Sequence, residues 1–451
     1  MSEQKKYIVI LGAGESGTGA AVLATRRGHE VFVSDKGAIA ARYREELAEN
    51  DIPYEEGGHD YERILRAEEI VKSPGISEDT LLMKRVRAAG IPVISEIELA
   101  YRYAGPCKII AITGSNGKTT TTALTHHIFR DAGLNAACVG NIGSSFARQV
   151  ATTGADYYIV EVSSFQLDDI HLFKPDVAVL LNITPDHLDR YDHQMENYAK
   201  AKFSITANQT AGDYFIYCKD DPGTQKYFDR QPIHSQTIPF SIMEKLPEGG
   251  FIDEDELYIR FQDDDMSMSI YELALRGKHN LYNSMAAGIS ARTMDIRKES
   301  IRDSLKSFKS LEHRLEFVAA VRGIDFINDS KATNINSLWF ALESMTKPVV
   351  LILGGVDKGN DYSLIRTLVA DKVKAIVFLG KDNRHIHEAL AAEVEVEVMA
   401  DTSNMRDAVQ SAYLLARKGD VVLLSPACAS FDLFKNYEDR GRQFKESVRD
   451  L

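Results

Sequence analysis

The stretch ITGSNGKTTTT, residues 112–122, combines glycines, a lysine and hydroxyl residues at the spacing of a phosphate-binding loop. The pattern G-x-x-x-x-G-K-[ST] ends here on Gly117-Lys118-Thr119, but Ile112 stands where its first glycine would be. Backbone N–H groups at a helix N-terminus attract phosphate, a lysine adds positive charge near the β- and γ-oxygens, and a threonine hydroxyl is a ligand for Mg²⁺. A shortened loop beginning at Gly114 retains all three functions. It predicts ATP binding, against the alternative of a surface turn before a helix.

A second glycine-rich stretch lies near the N-terminus. Gly12-Ala-Gly14-Glu-Ser-Gly17 satisfies G-x-G-x-x-G, follows an apolar run and opens a helix-like one. Asp35 ends the next strand-like run, where a dinucleotide-binding fold places its ribose-binding acid. These residues alone leave two interpretations open: an NAD-linked oxidoreductase, or a tight glycine turn that binds no nicotinamide.

Composition and charge restrict the classes of function. The chain has 451 residues, of which 44% are hydrophobic and 26% charged, as in ordinary soluble globular proteins. A net charge of −13 disfavours nucleic acid and anionic membrane surfaces as partners. The four cysteines lack metal-ligand spacing, and the apolar run YIVIL is too short for a spanning helix. We therefore expect a cytoplasmic protein with free thiols, small-molecule substrates and no membrane span.

Strand-like and helix-like runs alternate along the chain, which predicts parallel sheets wound with helices. The length predicts about three domains. We expect an α/β protein with a Rossmann-like domain at 1–104, a P-loop ATPase-type domain at 105–310 and a second Rossmann-like domain at 311–451. The central domain should carry extra β strands such as ELYIRFQ, and the last domain has five strand-like runs: DFINDS, PVVLILGG, KAIVFLG, VEVEVMA and DVVLLSP.

Longer motifs carry a resemblance to a known family. They are AITGSNGKTTT, VEVSSFQLD, NITPDHLDRY, GKHNLYN, EHRLE, NDSKATN, LGGVDKG and SPACASFDLFKNYEDRG. In this order they resemble the Mur ligase family over nearly the whole chain, from Ser73 to Gly441. NDSKATN and the last motif are similar to those of the family member that adds D-glutamate.

The resemblance implies an ATP-dependent ligase that joins D-glutamate to UDP-N-acetylmuramoyl-L-alanine in peptidoglycan precursor biosynthesis. The γ-phosphate of ATP would pass to the alanyl carboxylate, and the amine of D-glutamate would attack the resulting acyl phosphate. Because an anion attacks an anion, charge neutralisation dominates such a transfer, and we expect two Mg²⁺ ions. The resemblance also implies that the first glycine loop holds UDP rather than NAD, and we expect a monomer.

The resemblance assigns residues to the two nucleotides and to the metal. The UDP-substrate set is Gly14, Ser16, Gly17, Thr18, Asp35, Lys36, Ser73, Pro74, Gly75 and Asn141. The ATP set is Gly114, Ser115, Asn116, Gly117, Lys118, Thr119, Thr120, Asn280, Asn283 and Arg314. The metal set is Thr119, Glu161, His187 and Lys202, and the catalytic set is Lys118, His187 and Lys202. Lys202 would be carbamylated by CO₂, and its spacing from Tyr198 favours it over Lys200.

The acceptor amino acid is assigned to the last domain. By the resemblance, Asp329 and the set Lys331, Thr333, Lys358, Ser430 and Tyr437 would form the D-glutamate site. Two lysines suit the two carboxylates of this amino acid. Tyr437 stands where the family has phenylalanine, and Asp357 lies next to Lys358 rather than two residues before it, which leaves the role of Asp357 open.

Other functions make different predictions. A ligase that adds a diamino acid would carry D-N-P-R, whereas the nearest string here is Asp382-Asn383-Arg384. A folylpolyglutamate-type ligase would lack the first hundred residues. An NAD-linked oxidoreductase would rest on GAGESG alone, and a nucleotide-switched binding module would show no turnover.

Overall fold

The first glycine loop connects a buried strand of the N-terminal sheet to the helix that follows it. The computed structural model describes residues 5–141, 143–186, 188–262, 264–275, 277–309, 311–357, 359–391 and 398–451. The N-terminal strands are β1 Tyr7–Leu11, β2 Glu30–Asp35, β3 Tyr54–Glu56, β4 Glu69–Lys72 and β5 Val93–Ser95. The helices between and after them are α1 Glu15–Arg26, α2 Ala41–Glu49, α3 Tyr61–Ile64, α4 Leu81–Ala88 and α5 Glu96–Tyr103.

All neighbours in this sheet are parallel, in the order β3-β2-β1-β4-β5. Both faces of β1 are buried, because Ile8 and Ile10 belong to one apolar cluster and Val9 and Leu11 to another. Burial on both faces explains why its sequence is a continuous apolar run rather than an alternating one.

The second sheet carries the phosphate-binding loop. Its strands are β6 Lys108–Thr113, β7 Ala136–Gly140, β8 Tyr157–Glu161, β9 Val177–Leu180, β10 Tyr214–Cys218, β11 Gln236–Ser241, β12 Gly249–Asp253, β13 Glu256–Phe261 and β14 Asp264–Ser269. The order is β14-β13-β12-β11-β10-β9-β6-β8-β7, and β12, β13 and β14 pair antiparallel while the other neighbours are parallel. The helices are α6 Lys118–Asp131, α7 Phe146–Thr152, α8 Ser164–Leu167, α9 Met195–Phe203, α10 Pro222–Phe228, α11 Lys278–Arg292 and α12 Lys298–Ser307.

The third sheet has six strands. They are β15 Glu316–Val321, β16 Ile324–Asn328, β17 Val349–Leu353, β18 Val373–Leu379, β19 Val398–Thr402 and β20 Val421–Leu424, in the order β15-β16-β20-β17-β18-β19. Within this sheet, β15 pairs antiparallel with β16, and the other described neighbours are parallel. The helices are α13 Ile335–Ser344, α14 Arg366–Lys372, α15 Arg384–Ala391, α16 Met405–Leu415 and α17 Tyr437–Arg449.

By their internal contacts the residues group into two units. One runs through Leu273 and includes Asn280–Phe308, with the first two sheets, and the other comprises Ala274–His279 and Lys309–Leu451, with the third sheet. Along the described stretches, no helix has the length and apolar character needed to cross a bilayer.

The predicted α/β class with mainly parallel sheets and extra central strands is confirmed. The sequence did not predict β3, β7 or β15. Helix α11 begins at Lys278, two residues before the predicted start at Asn280. The predicted strand VEVEVMA is seen from Val398 onward, and its earlier residues lie outside the described part of the chain.

Candidate active site

The phosphate-binding loop is shorter than the usual pattern because the preceding strand is longer. Ile112 is fully buried in β6, opposite Glu161 of β8 in the strand register. The backbone turns at Gly114, with φ +151°, and at Gly117, with φ +85°, and α6 starts at Lys118. The missing first glycine is therefore a strand residue, as the shortened loop predicted.

Side chains on both sides of the loop fix its shape. The Lys118 Nζ donates to the carbonyl oxygens of Gly114 at 2.7 Å and Ser115 at 2.9 Å. Asn182, which follows β9, accepts from the Asn116 N–H at 2.8 Å and donates to the Asn116 carbonyl at 3.1 Å. Asn182 was not among the residues predicted from the sequence, although its place in the NIT run directly after an apolar strand marks it as a loop-facing residue.

The two asparagines of α11 lie together, as their spacing predicts. Asn283 Nδ2 donates to Asn280 Oδ1 at 3.1 Å, and Asn283 Oδ1 accepts from the Thr121 hydroxyl of α6 at 3.1 Å. A Cβ added at Gly117 would lie 2.6 Å from Asn283 Oδ1. Asn283 therefore contacts the loop itself, while Thr119 and Thr120 lie in the first turn of α6.

Glu161 ends β8 next to this loop and offers an unused oxygen. Its side chain is 1% exposed, and Oε1 accepts from Asn141 Nδ2 at 2.9 Å. Its Oε2 is buried without a hydrogen-bond partner among the described residues. A buried carboxylate oxygen is costly unless it is paired or binds a cation, so this oxygen fits a Mg²⁺ ligand.

Lys202 reaches the same loop from α9. Its Nζ donates to the Gly114 carbonyl at 2.8 Å and lies 4.6 Å from the centre of the Tyr198 ring, and the side chain is 1% exposed. Burial lowers the pKa of Lys202 well below its ordinary value, the Lys118 charge lowers it further, and Asp186 and Asp168 oppose the change. Lys200, by contrast, is exposed. A neutral buried amine is the form of lysine that reacts with CO₂.

Two of the predicted site residues, His187 and Lys358, lie outside the described residues. The chain next to His187 is described, and Arg190 links it to the SPG turn. Its guanidinium donates to the carbonyl of Ile76 at 3.0 Å and lies 4.4 Å from the centre of the Phe165 ring.

The first glycine loop is braced by the acid that the dinucleotide pattern singled out. Asp35 Oδ2 accepts from the Ala13 N–H at 2.7 Å, and Oδ1 accepts from the Gly37 N–H at 2.8 Å. A Cβ at Gly17 would lie 1.8 Å from the Gly12 carbonyl oxygen, so only glycine allows this helix start to approach the strand. Asp35 thus supports the loop backbone, a role that its sequence pattern does not indicate.

Two further residues of the predicted UDP set contact that loop. The Ser73 hydroxyl donates to the Gly12 carbonyl at 3.4 Å, and the buried Thr18 hydroxyl donates to the Ala13 carbonyl at 3.3 Å. The others differ in exposure: Ser16 and Pro74 are half-buried, whereas Gly14, Lys36, Gly75 and Asn141 are exposed. The structure brings the glycine loop and the SPG turn together.

The predicted acceptor residues lie in the third sheet's unit. Lys331 Nζ lies 5.0 Å from the centre of the Tyr437 ring, and the Ser330 hydroxyl donates to the Tyr437 carbonyl at 2.8 Å. Tyr437 is the first residue of α17, which Asn436 caps. Ser430 is 2% exposed, and Thr333 is half-buried.

An unpredicted arginine ties these motifs together. The buried Arg440 donates to the Ser330 carbonyl at 2.8 Å and to the Cys428 carbonyl at 3.1 Å, so it joins NDSKATN to SPACAS. Burial lowers the pKa of Arg440 to about 10. In the sequence Arg440 sits in the polar run NYEDRG, which gives no sign of burial.

Asp329 and Arg314 belong to the same unit. Asp329 accepts from the Ser425 hydroxyl at 2.9 Å, and burial raises its pKa to about 7, although the Ser425 hydrogen bond and the Arg314 charge oppose the rise. Burial, with the Arg314 charge acting in the same direction, lowers the pKa of His279 to about 4. The charge of Arg314 therefore acts on His279 and Asp329, two residues of its own unit.

The structure gives Asp357 a role in shaping its loop. Its Oδ1 accepts from the N–H groups of Gly359 at 3.1 Å and Asn360 at 3.0 Å, and its Oδ2 lies 2.9 Å from His385 Nδ1. A cavity of about 510 Å³ adjoins it, lined by Gly355, Val356, Asp357, Lys381, Asp382, Arg384, His385, Glu388 and Asp432.

Comparisons with known proteins cover nearly the whole chain. Residues 6–95 match the MurD-like N-terminal domain of Mur ligases, residues 112–291 the Mur ligase middle domain, and residues 313–428 the glutamate ligase domain of Mur ligases. A relative from Bacteroides fragilis, named UDP-N-acetylmuramoylalanine--D-glutamate ligase, is 55% identical over 99% of this chain and 100% of its own.

Solved structures show the same fold at low sequence identity. The UDP-N-acetylmuramate-alanine ligase MurC from Thermotoga maritima aligns with a TM-score of 0.63 at 16% identity, over 99% of both chains. The MurF ligase from Thermotoga maritima in complex with ADP aligns with a TM-score of 0.59 at 15% identity, over 93% of this chain and 95% of its own.

Proposed function

The chain belongs to the Mur ligase family, and on that premise we propose that it joins D-glutamate to UDP-N-acetylmuramoyl-L-alanine at the expense of ATP. Ligases of this family use ATP. The alanyl carboxylate takes the γ-phosphate to give an acyl phosphate and ADP, and the amine of D-glutamate displaces phosphate to form the amide. The observation that carries this proposal is the position of Glu161. Its carboxylate is buried, and its backbone pairs with Ile112 of β6, the strand that leads into the phosphate-binding loop.

Within this proposal, the loop Gly114–Thr120 binds the phosphates of ATP. The first turn of α6 offers N–H groups that a helix leaves without intrahelical partners, and Lys118 adds a positive charge. Asn280 and Asn283 support the loop from α11 through Thr121 and Gly117. Arg314 completes the proposed ATP set.

Thr119, Glu161, His187 and Lys202 would hold two Mg²⁺ ions. The buried Glu161 Oε2, without a partner among the described residues, fits such an ion. Bound Mg²⁺ neutralises the negative charge that the transferring phosphoryl group carries.

The surroundings of Lys202 support the proposal that it is carbamylated. A neutral lysine amine adds to CO₂ and loses a proton, which converts a cationic side chain into a carboxylate-like anion. Burial and the nearby charge of Lys118 favour the neutral amine of Lys202. A protonated Lys202 would be a cation and could not bind a metal ion. The modification therefore supplies a metal ligand where an unmodified lysine could not.

The glycine loop and the SPG turn would bind the UDP group. Gly14, Ser16, Gly17 and Thr18 supply a helix N-terminus for the pyrophosphate, and Asp35 and Ser73 hold the loop in shape. Lys36, Pro74, Gly75 and Asn141 complete the proposed set.

The third sheet's unit would bind D-glutamate. Lys331 and Lys358 match its two carboxylates, Thr333 and Ser430 add hydroxyl groups, and Tyr437 contributes the ring beside Lys331. The amine of D-glutamate must be neutral and close to the acyl carbon to attack it. We place the functional domains at 1–104, 105–310 and 311–451, which separate the three sheets. We also propose a monomer in the cytoplasm, in keeping with four free cysteines.

An acceptor screen tests this function. Phosphate release from ATP is measured with UDP-N-acetylmuramoyl-L-alanine and each of a panel of D- and L-amino acids. D-Glutamate should give the fastest release and an amide product of the expected mass. Equal use of L-glutamate, or release that no amino acid stimulates, would contradict the proposal.

A further inference from the structure

The proposed binding of UDP leaves one residue of the glycine loop unexplained. Glu15 lies between Gly14 and Ser16, and it is the first residue of α1. A carboxylate beside a pyrophosphate repels it unless the charge is directed away or neutralised. A Cβ added at Gly14 would meet no described atom within 4 Å, so there is room for a ligand at this point of the loop.

Groups of α7 hold the Glu15 carboxylate. Its Oε1 accepts from Arg148 Nε at 2.8 Å and from the Ser145 N–H at 3.0 Å. Its Oε2 accepts from Arg148 Nη2 at 3.2 Å, which makes the ion pair bidentate. Bidentate arginine–carboxylate pairs fix direction as well as charge.

The ion pair is part of a small network. Arg148 Nη1 also pairs with Glu46 of α2, and the Tyr43 hydroxyl lies 3.4 Å from Glu15 Oε2. Partial burial raises the pKa of Glu15, but the hydrogen bonds from Arg148 and the Ser145 backbone and the charges of Arg148 and Arg42 lower it overall. Glu15 is therefore an anion, and Arg148 is its principal counter-charge.

The contact also fixes where α1 meets α7. A Cβ at Gly19 would lie 2.0 Å from the Ser145 hydroxyl oxygen, so the two helices approach as closely as glycine allows. Ser145 caps α7, and Asn141, four residues earlier in the chain, donates to Glu161.

We propose that Arg148 is a positioning residue for the UDP-bearing substrate: it directs the Glu15 carboxylate toward α7 and neutralises it, so that the loop can accept a pyrophosphate. This inference rests on the proposed binding of UDP at the glycine loop. Arg148 acts through Glu15 and does not itself contact the ligand.

Four variants separate charge compensation from a merely structural role. Arg148→Ala should raise the KM for UDP-N-acetylmuramoyl-L-alanine about tenfold, with the KM for ATP and kcat within about twofold, because binding is lost equally in ground and transition states. Glu15→Gln should change this KM little. The double variant should regain most of the affinity, because the uncompensated carboxylate is gone. Arg26→Ala is the matched control, since Arg26 donates to the Ala151 carbonyl of α7 away from the loop.

Calorimetric measurement of UDP and uridine binding tests the proposed UDP site separately from the proposed role of Arg148. Wild-type protein that fails to bind UDP would overturn the proposed function. Wild type that binds UDP while Arg148→Ala binds it equally well would overturn this inference alone. A double variant no better than Arg148→Ala would also overturn it. The affinity for uridine, which has no phosphate, should be the same in all variants.

Discussion

The Nζ atom of Lys202 donates a hydrogen bond to the carbonyl oxygen of Gly114 at 2.8 Å. A lysine of α9 thus contacts the first glycine of a loop 88 residues earlier in the chain. The same carbonyl accepts from Lys118, so two lysines converge on one backbone oxygen. Two cations so close would repel each other, so the Lys118 charge adds to burial in favouring the neutral form of Lys202, which is the form that adds CO₂.

Lys202→Ala should be nearly inactive, and acetate or formate should restore part of the activity. A small carboxylate can take the place of a carbamate, whereas it cannot replace an ammonium group. Activity is measured as D-glutamate-dependent phosphate release with and without the added anion. Lys200→Ala, from an exposed position of the same helix, is the control and should keep wild-type activity. Loss of activity in the control with retention in Lys202→Ala would show that the wrong lysine was chosen.

Gly117→Ala should raise the KM for ATP at least tenfold. The residue has φ +85°, which costs roughly 1 kcal/mol or more for an L-residue, and its Cβ would meet Asn283 Oδ1 at 2.6 Å. Gly133→Ala is a matched control, because Gly133 has φ +82° and no described atom within 4 Å of an added Cβ. Both variants should lose a few degrees in Tm, but only Gly117→Ala should weaken the binding of ATP. Equal KM values for ATP would contradict this account of the loop.

Tyr437 is expected to act through its ring rather than its hydroxyl. Tyr437→Phe should leave the KM for D-glutamate within about twofold, because the ring beside Lys331 is retained. Tyr437→Ala should raise that KM about tenfold, since a cation–π contact is worth about 0.5–2 kcal/mol. Steady-state kinetics at saturating ATP measure both. A large defect in Tyr437→Phe would assign the hydroxyl a role in binding the acceptor.

Asp329→Asn should change the pH dependence of stability. The pKa of Asp329 is raised to about 7, so between its ordinary value near 4 and pH 7 the folded state holds a proton that the unfolded state has lost. Stability from this group therefore falls as pH rises through that window. Asparagine cannot titrate, so the Tm of the variant relative to wild type should increase between pH 5 and pH 8. Parallel Tm curves for the two proteins would contradict the raised pKa.

Much of the central site could be predicted from the sequence, because its strand, loop and helix depend on the spacing of residues close together in the chain. The apolar run before Gly114 places Ile112 in a strand, and a spacing of three places Asn280 and Asn283 on one face of a helix. Continuous apolar runs also predicted most strands of the parallel sheets, because burial on both faces leaves a clear signal in the sequence.

Other features depend on contacts that no local pattern encodes. Strand β15 is an antiparallel strand with mixed exposure, so its EFVAAV run has weak alternation. Arg148 meets Glu15 across 133 residues, and Arg440 is buried only because the NDSKATN and SPACAS motifs fold around it. Asp35 looked like a ligand-binding acid, whereas both of its oxygens accept backbone hydrogen bonds.

The central claim is that the phosphate-binding loop activates the alanyl carboxylate as an acyl phosphate, and an isotope transfer measures it most directly. UDP-N-acetylmuramoyl-L-alanine carrying ¹⁸O in both carboxylate oxygens is turned over with ATP and D-glutamate, and the released phosphate is examined by mass spectrometry. If the carboxylate attacks the γ-phosphorus and the amine then displaces phosphate, each released phosphate should carry one ¹⁸O atom. Phosphate without ¹⁸O, in the presence of amide product, would contradict the proposed reaction.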